Sequence, residues 1–232
     1  MLIVKTGTVR TALAEVDGDF EDWIADGLGR PVQVCSVFER DELPPPHTTG
    51  GVVVTGSAAM VSDLEPWAER TADWLRDAVE AGVPILGICY GHQLLAHALG
   101  GRVGPNPRGR EIGTVTIALA DRAEADPLLS TLPAQFEVQA THLESVLELP
   151  PEAELLASST LDPHHAFRVP NRPVWGLQFH PELSAAVTRG YIEAKRDKLR
   201  AEGLDPDHLL TEVHETRWGG DILARFAQLA DG

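Results

Sequence analysis

The residue best placed to do chemistry is Cys89, which sits in Gly87-Ile88-Cys89-Tyr90-Gly91. A cysteine flanked at two residues on either side by glycine, after an apolar run and before a helical pattern, fits a tight strand-to-helix turn. Such a turn lifts the nucleophilic atom out of the sheet edge. The helix that starts there presents unbonded N–H groups and a partial positive charge, which favour thiolate over thiol and can hold a developing oxyanion. Small residues around a buried cysteine can also serve plain close packing, so this segment alone does not decide the matter.

A second segment supplies what a thiol nucleophile needs. In Gln178-Phe179-His180-Pro181-Glu182 a histidine and a glutamate stand two apart at the end of an apolar strand. In extended chain both side chains leave the same side. One ring nitrogen can then face a cysteine while the carboxylate fixes the other, the arrangement of nucleophile, base and orienter. The plainer alternative is a hydrogen-bonded structural histidine and an acid at a helix start.

The elements that must bring these segments together are legible as short apolar runs: Leu2-Ile3-Val4, Val32 to Phe38, Val52-Val53-Val54 and Pro84 to Ile88. Near-continuous β-branched strands separated by helices indicate a mostly parallel, doubly wound α/β sheet covered on both faces. Pro66 opens a helical pattern with Trp67, Thr71, Trp74, Leu75, Ala78 and Val79 on its core face, ending near Gly82. After Cys89, Leu94, Leu95, Ala98 and Leu99 form another helical face, stopped by Gly100-Gly101. Strand-like segments return at Ile112 to Leu119, Phe136 to Gln139, Leu155 to Ala157 and Pro173 to His180, followed by helices from about Ser184 to Arg200 and near Ile222 to Leu229. With 232 residues and no repeat or linker, a single domain over 1–232 is expected, with a smaller antiparallel region.

Composition narrows the function class. There are 19 basic against 35 acidic residues, a formal charge of -16, so nucleic acid phosphates and anionic membranes are repelled. The first residues are too short and polar for a signal peptide, and no run of apolar residues suits a membrane span. Two cysteines without a disulfide framework fit a reducing, cytoplasmic setting, and Cys35 reads as a small buried hydrophobe. No zinc-type spacing occurs, so His164-His165 are expected as surface-loop histidines; His92 and His97 fall on the helix after the nucleophile, His92 either at the pocket mouth or packed. No glycine-rich phosphate loop follows a strand. No metal or cofactor is expected.

Taken together, the motifs resemble the class I glutamine amidotransferase family, and in particular its stand-alone, GMP-synthase-like members. The carrying residues are Cys89-Tyr90-Gly91-His92-Gln93 and His180-Pro181-Glu182, with Val54-Thr55-Gly56-Ser57, Gly100-Gly101-Arg102-Val103 and Arg110-Glu111-Ile112-Gly113 in family order. The resemblance implies a flavodoxin-like fold and a γ-glutamyl thioester on Cys89, with His180 as base and then acid and Glu182 holding its tautomer. The N–H groups of Tyr90 and of Gly56 or Ser57 would bind the oxyanion. Gln93 would help hold the substrate, and in Thr141-His142-Leu143-Glu144 the Glu144 carboxylate would meet its ammonium group. Two positions depart from the family. Leu143-Glu144 stands where relatives have glycine followed by an aspartate or aromatic residue, and Ser57 where many have glycine.

These readings imply glutamine hydrolysis, either alone or as the ammonia-supplying partner of a separate synthetase subunit. The alternative that the bulk of Leu143 favours is a γ-glutamyl peptidase or hydrolase acting on larger γ-glutamyl compounds. A non-catalytic scaffold of the same fold is the third.

Overall fold

The computed structural model describes residues 1–9 and 18–231. The strands are β1 (Leu2–Lys5), β2 (Gln33–Ser36), β3 (Val52–Val54), β4 (Ile85–Ile88), β5 (Arg102–Pro105), β6 (Glu111–Leu119), β7 (Gln135–His142), β8 (Glu144–Glu148), β9 (Glu154–Ser158), β10 (Ala166–Val169) and β11 (Val174–Leu177). The helices are α1 (Phe20–Leu28), α2 (Pro66–Glu80), α3 (Tyr90–Ala98), α4 (Ala185–Ala194), α5 (Arg196–Ala201), α6 (Pro206–Glu212) and α7 (Trp218–Leu229). Among the described residues no helix is long and apolar enough to cross a membrane.

One sheet in the order β2-β1-β3-β4-β11-β10-β9-β6-β7 forms the centre, with β5 and β8 paired apart from it. From β2 to β11 every pairing is parallel, and from β11 to β7 every pairing is antiparallel. The parallel strands alternate between two cores, because successive side chains leave opposite faces. Ile3, Val53, Leu86 and Ile88 join α1 and α7 on one face, while Leu2, Val4, Val52, Val54 and Ile85 join α2 and α3 on the other. Each fully buried aliphatic side chain of this kind contributes about 1.5–3 kcal/mol.

The two core helices differ in how they end. Helix α1 opens on a capping box between Asp19 and Asp22, and Gly29 closes it in the left-handed region. In α2, Pro66 stands at the first turn and the core stripe is Ala68, Thr71, Ala72, Leu75, Ala78 and Val79. Its tryptophans lie at the edge of that stripe: Trp74 Nε1 donates to the Pro44 carbonyl, and the Trp67 ring stacks on Tyr90.

Candidate active site

β4 lies between β3 and β11, and the register pairs Gly87 with Gly176 and Ile88 with Leu177. The two strand ends therefore stop side by side. Cys89 follows one and donates its N–H to the Leu177 carbonyl at 2.8 Å, while His180 follows the other. His180 is pinned from a third direction, since its N–H donates to the Gln139 carbonyl of β7 at 2.9 Å.

The turn at Cys89 is strained, with φ 51° and ψ -101°. It needs both flanking glycines. A Cβ on Gly87 would stand 2.5 Å from the Gly91 carbonyl oxygen, and one on Gly91 would reach the backbone carbon of Val54 at 2.8 Å. The Gly91 N–H donates to the Thr55 carbonyl at 3.1 Å, which ties the start of α3 to the loop after β3. That loop is braced from β1: Thr6 Oγ1 donates to the Gly56 carbonyl at 3.1 Å, and Ser57 Oγ donates to the Thr6 carbonyl at 2.9 Å. Gly56 sits so close to the catalytic-side ring that an added Cβ would be 2.9 Å from His180 Cε1. The Tyr90 N–H, first in the helix, has no intrahelical acceptor. The predicted oxyanion residues Gly56, Ser57 and Tyr90 are thus gathered around Cys89.

The histidine and glutamate meet as their spacing requires. His180 Nδ1 lies 2.7 Å from Glu182 Oε1, with side-chain exposures of 2% and 0%. Phe20 lies nearly parallel to the His180 ring at 6.0 Å. The other ring nitrogen, Nε2, is buried with no hydrogen-bond partner among the described residues. Burial favours the neutral ring, but the Glu182 carboxylate and the Cys89 sulfur outweigh it and push His180 up to about 10. Burial likewise opposes a thiolate, yet the His180 charge holds Cys89 below its ordinary range. Each charge favours the other, the ring drawing the thiol towards thiolate and the sulfur drawing the ring towards imidazolium.

The pocket over Cys89 is lined by Ser57, Tyr90, Gln93, Thr141, His142, Leu143, Glu144 and His180. Glu144 is held by the turn after β3: its Oε2 accepts the Val61 N–H at 2.8 Å and the Ser62 N–H at 3.3 Å. Its Oε1 is buried without a partner among the described residues, so it is ready for a cationic group. Gln93 is committed differently. Its Nε2 donates to the Glu144 carbonyl at 2.8 Å and to Gln178 Oε1 at 2.9 Å, so it holds the pocket wall and only its own oxygen remains for a ligand. Thr141 Oγ1 accepts from Lys195 Nζ at 3.1 Å, and its carbonyl is 3.9 Å from the Cys89 sulfur. Leu143 adds bulk to the wall, but its φ is not positive, so the glycine of relatives is not needed there for backbone freedom.

Phe20, Tyr191, Lys195 and Lys198 also line the pocket and have no motif that marks them in the sequence, while Arg110, from the Arg110-Glu111-Ile112-Gly113 motif, joins them there. Arg110 makes a two-pronged pair with Glu202, with Nε and Nη2 2.7 and 3.0 Å from its carboxylate oxygens. His92 turns away from the pocket, fully buried with its ring 5.0 Å from Phe167. The expectation of a surface His165 is corrected: the residue is fully buried and its Nε2 donates to Glu111 Oε2 at 2.6 Å. Glu111 begins the long β6 strand inside the molecule, and the loop before β10 delivers His165 to it. His164, by contrast, is only partly buried.

A family model described as glutamine amidotransferase class-I matches residues 27–196. The glutamine-hydrolysing GMP synthase of Thermomicrobium roseum is 42% identical over 147 residues, which is 61% of this chain and 26% of that protein. One subunit of the glutamine-hydrolysing GMP synthase of Pyrococcus abyssi is 41% identical over 105 residues, 45% of this chain and 54% of that one. The matched part is thus about a quarter of the first relative's length and about half of the second's. In fold, a glutamine amidotransferase from Thermotoga maritima superposes with a TM-score of 0.79 at 22% identity, covering 99% of this chain and 97% of that one. Another, from Methylobacillus flagellatus, gives 0.79 at 23%, covering 98% and 94%. Because the matched span of the family model contains both the strained cysteine turn and the paired histidine and glutamate, the chain belongs to the class I glutamine amidotransferases.

Proposed function

We propose that this chain hydrolyses the side-chain amide of glutamine, releasing glutamate and ammonia. The observation that carries the reading is the strained Cys89 turn beside the buried His180–Glu182 pair, under a pocket whose wall holds the open Glu144 oxygen. Cys89 attacks the γ-carbonyl, and the oxyanion is received by the N–H groups of Tyr90 and of Gly56 or Ser57. His180 gives a proton to the departing ammonia, then takes one from the water that cleaves the γ-glutamyl thioester, while Glu182 keeps its Nδ1 proton in place. Glu144 binds the substrate ammonium. Gln93 orients Glu144 through its backbone, and Thr141 places Lys195 at the rim.

The chain acts as one domain in the cytoplasm, where its two unpaired cysteines stay reduced. A separate synthetase chain is the partner that receives the ammonia, as the relatives that are single subunits of a GMP synthase suggest. A larger γ-glutamyl compound is the second reading, favoured by the Leu143 side chain on the wall and the cations Lys195 and Lys198 at the mouth. The test is glutamate release by the purified chain from glutamine and from a panel of γ-glutamyl amides, with Cys89→Ser as control. Turnover of glutamine supports the first reading and turnover of the larger amides alone supports the second. Equal signals from wild type and Cys89→Ser on every substrate reject activity of the chain alone and point to the scaffold or to an enzyme that works only with its partner.

A further inference from the structure

Next to the nucleophile lies a buried charge cluster that the thioester steps do not use. His142 ends β7 with a side-chain exposure of 1%. Its Nδ1 is 3.0 Å from the Glu144 backbone carbonyl, and its Nε2 is 3.0 Å from Glu111 Oε2. A carbonyl oxygen can only accept. The Glu111 carboxyl also accepts Ser159 Oγ and His165 Nε2, each at 2.6 Å, and these donors hold it ionised against the opposing effect of burial. A neutral imidazole carries one N–H, so it would aim a bare lone pair at one of these oxygens inside the protein. Only the imidazolium satisfies both contacts.

The other groups facing His142 fit that charge. Asp162 Oδ2, fully buried and bonded by Ser145 Oγ at 2.6 Å, lies 3.9 Å from His142 Nδ1 and adds a second negative charge. His165 needs no charge to donate to Glu111, and His92 is kept neutral by burial, which pushes it down to about 3. The Glu144 carboxylate is turned to the Val61 and Ser62 amides, and Lys195 donates to Thr141 Oγ1 and lies over the Tyr191 ring. Glu111, His142 and His165 also form a group of metal-ligand type. The contacts are those of a hydrogen-bonded group, with His165 Nε2 2.6 Å from Glu111 Oε2, closer than the about 3.3 Å between two donors on a tetrahedral zinc. On the other side of His142, the preceding residue's carbonyl is the one that the Cys89 thiol faces, and both side chains line the pocket.

We propose that His142 is a permanently charged positioning residue: Glu111 and Asp162 hold it as an imidazolium, and its positive charge joins that of His180 in keeping Cys89 a thiolate. This rests on Cys89 being the nucleophile of the proposed reaction, but not on glutamine being its substrate.

The test follows the thiol itself. In a Cys35→Ala background, the iodoacetamide rate across pH titrates Cys89. His142→Gln, whose amide can still donate to Glu111, is expected to move the midpoint up by about one pH unit, making alkylation below it about tenfold slower. Glu111→Gln should give a smaller shift and add a second titration near neutrality, as His142 loses its hold on the proton. A His142→Gln profile that overlays the parent, with circular dichroism and Tm unchanged, overturns the proposal. Should that variant not fold, nitrogen NMR of histidine-labelled parent protein decides. Protons on both His142 nitrogens up to about pH 8 support the proposal; a bare nitrogen near neutral pH, or stoichiometric zinc by elemental analysis, overturns it. A parent protein that turns over only larger γ-glutamyl amides yet shows the expected alkylation shifts refutes glutamine as substrate and leaves the role of His142 standing.

Discussion

Replacing Glu182 by glutamine tests the pairing on which the proposed chemistry turns. The carboxylate lies 2.7 Å from His180 Nδ1, and neither side chain is more than 2% exposed, so water screens the pair little. Charge centres about 4 Å apart at an effective dielectric of about 20 interact by about 4 kcal/mol, or about three pKa units. Part of that is returned because the variant no longer buries a carboxylate. His180 is therefore expected to fall by about two units from its value of about 10. The thiolate loses its counter-charge with it, and the glutamine Nε2 can present an N–H where the ring needs an acceptor. The expected loss in kcat/KM for glutamine is about a hundredfold to a thousandfold, with the acid limb of the pH profile moved. Glutamate release coupled to glutamate dehydrogenase, followed across pH, measures both. A loss below about threefold with an unchanged profile, in a variant of normal Tm, would refute the reasoning.

Other outcomes follow from the same geometry. Gly91→Ala drives a methyl group into the Val54 carbonyl, whose carbon it would reach at 2.8 Å; a destabilisation of about 3 kcal/mol and a Tm lower by about 6–12 °C are expected by calorimetry, and an unchanged Tm would show that the turn has slack. Iodoacetamide near neutral pH should label Cys89 at least about tenfold faster than Cys35, whose thiol is pushed up by burial and by Asp41; equal, slow labelling of both counts against the strained turn. Glu144→Gln should raise KM for glutamine about tenfold or more while kcat changes little, and the reverse split would remove Glu144 from substrate binding. His180 is raised in the folded state from 6.5 to about 10, so its contribution to stability is full below the lower value and is lost as pH rises through the upper one. Denaturant unfolding of wild type and His180→Gln should accordingly converge between those limits, and a gap that widens with pH would reverse the sign.

Cys89 and the His180–Glu182 pair were legible in the sequence because each depends on neighbours along the chain. The all-buried run of β4, the glycines at positions 87 and 91, and the two-residue spacing of an imidazole and a carboxylate are local sterics and local periodicity. The alternation of β1, β3 and β4 between two cores is local in the same sense, and it was enough for the parallel half of the sheet and for its covering helices.

What lay beyond the sequence is what depends on which distant segments meet. Glu111 and His165 are 54 residues apart, Glu111 and His142 31 apart, and Arg110 and Glu202 92 apart, and nothing at any of these positions announces its partner. The antiparallel strands beyond β11 bring Gln139 to His180 and carry His142 to the sulfur's side of the pocket. The sequence alone determined the cysteine turn, the histidine–glutamate pair and the parallel sheet that aligns them, since sterics and periodicity act over a few residues. Only the tertiary structure decided where charge is buried and which proton is held there, because that depends on the solvent that packing removes and on the charges that packing brings within a few ångströms.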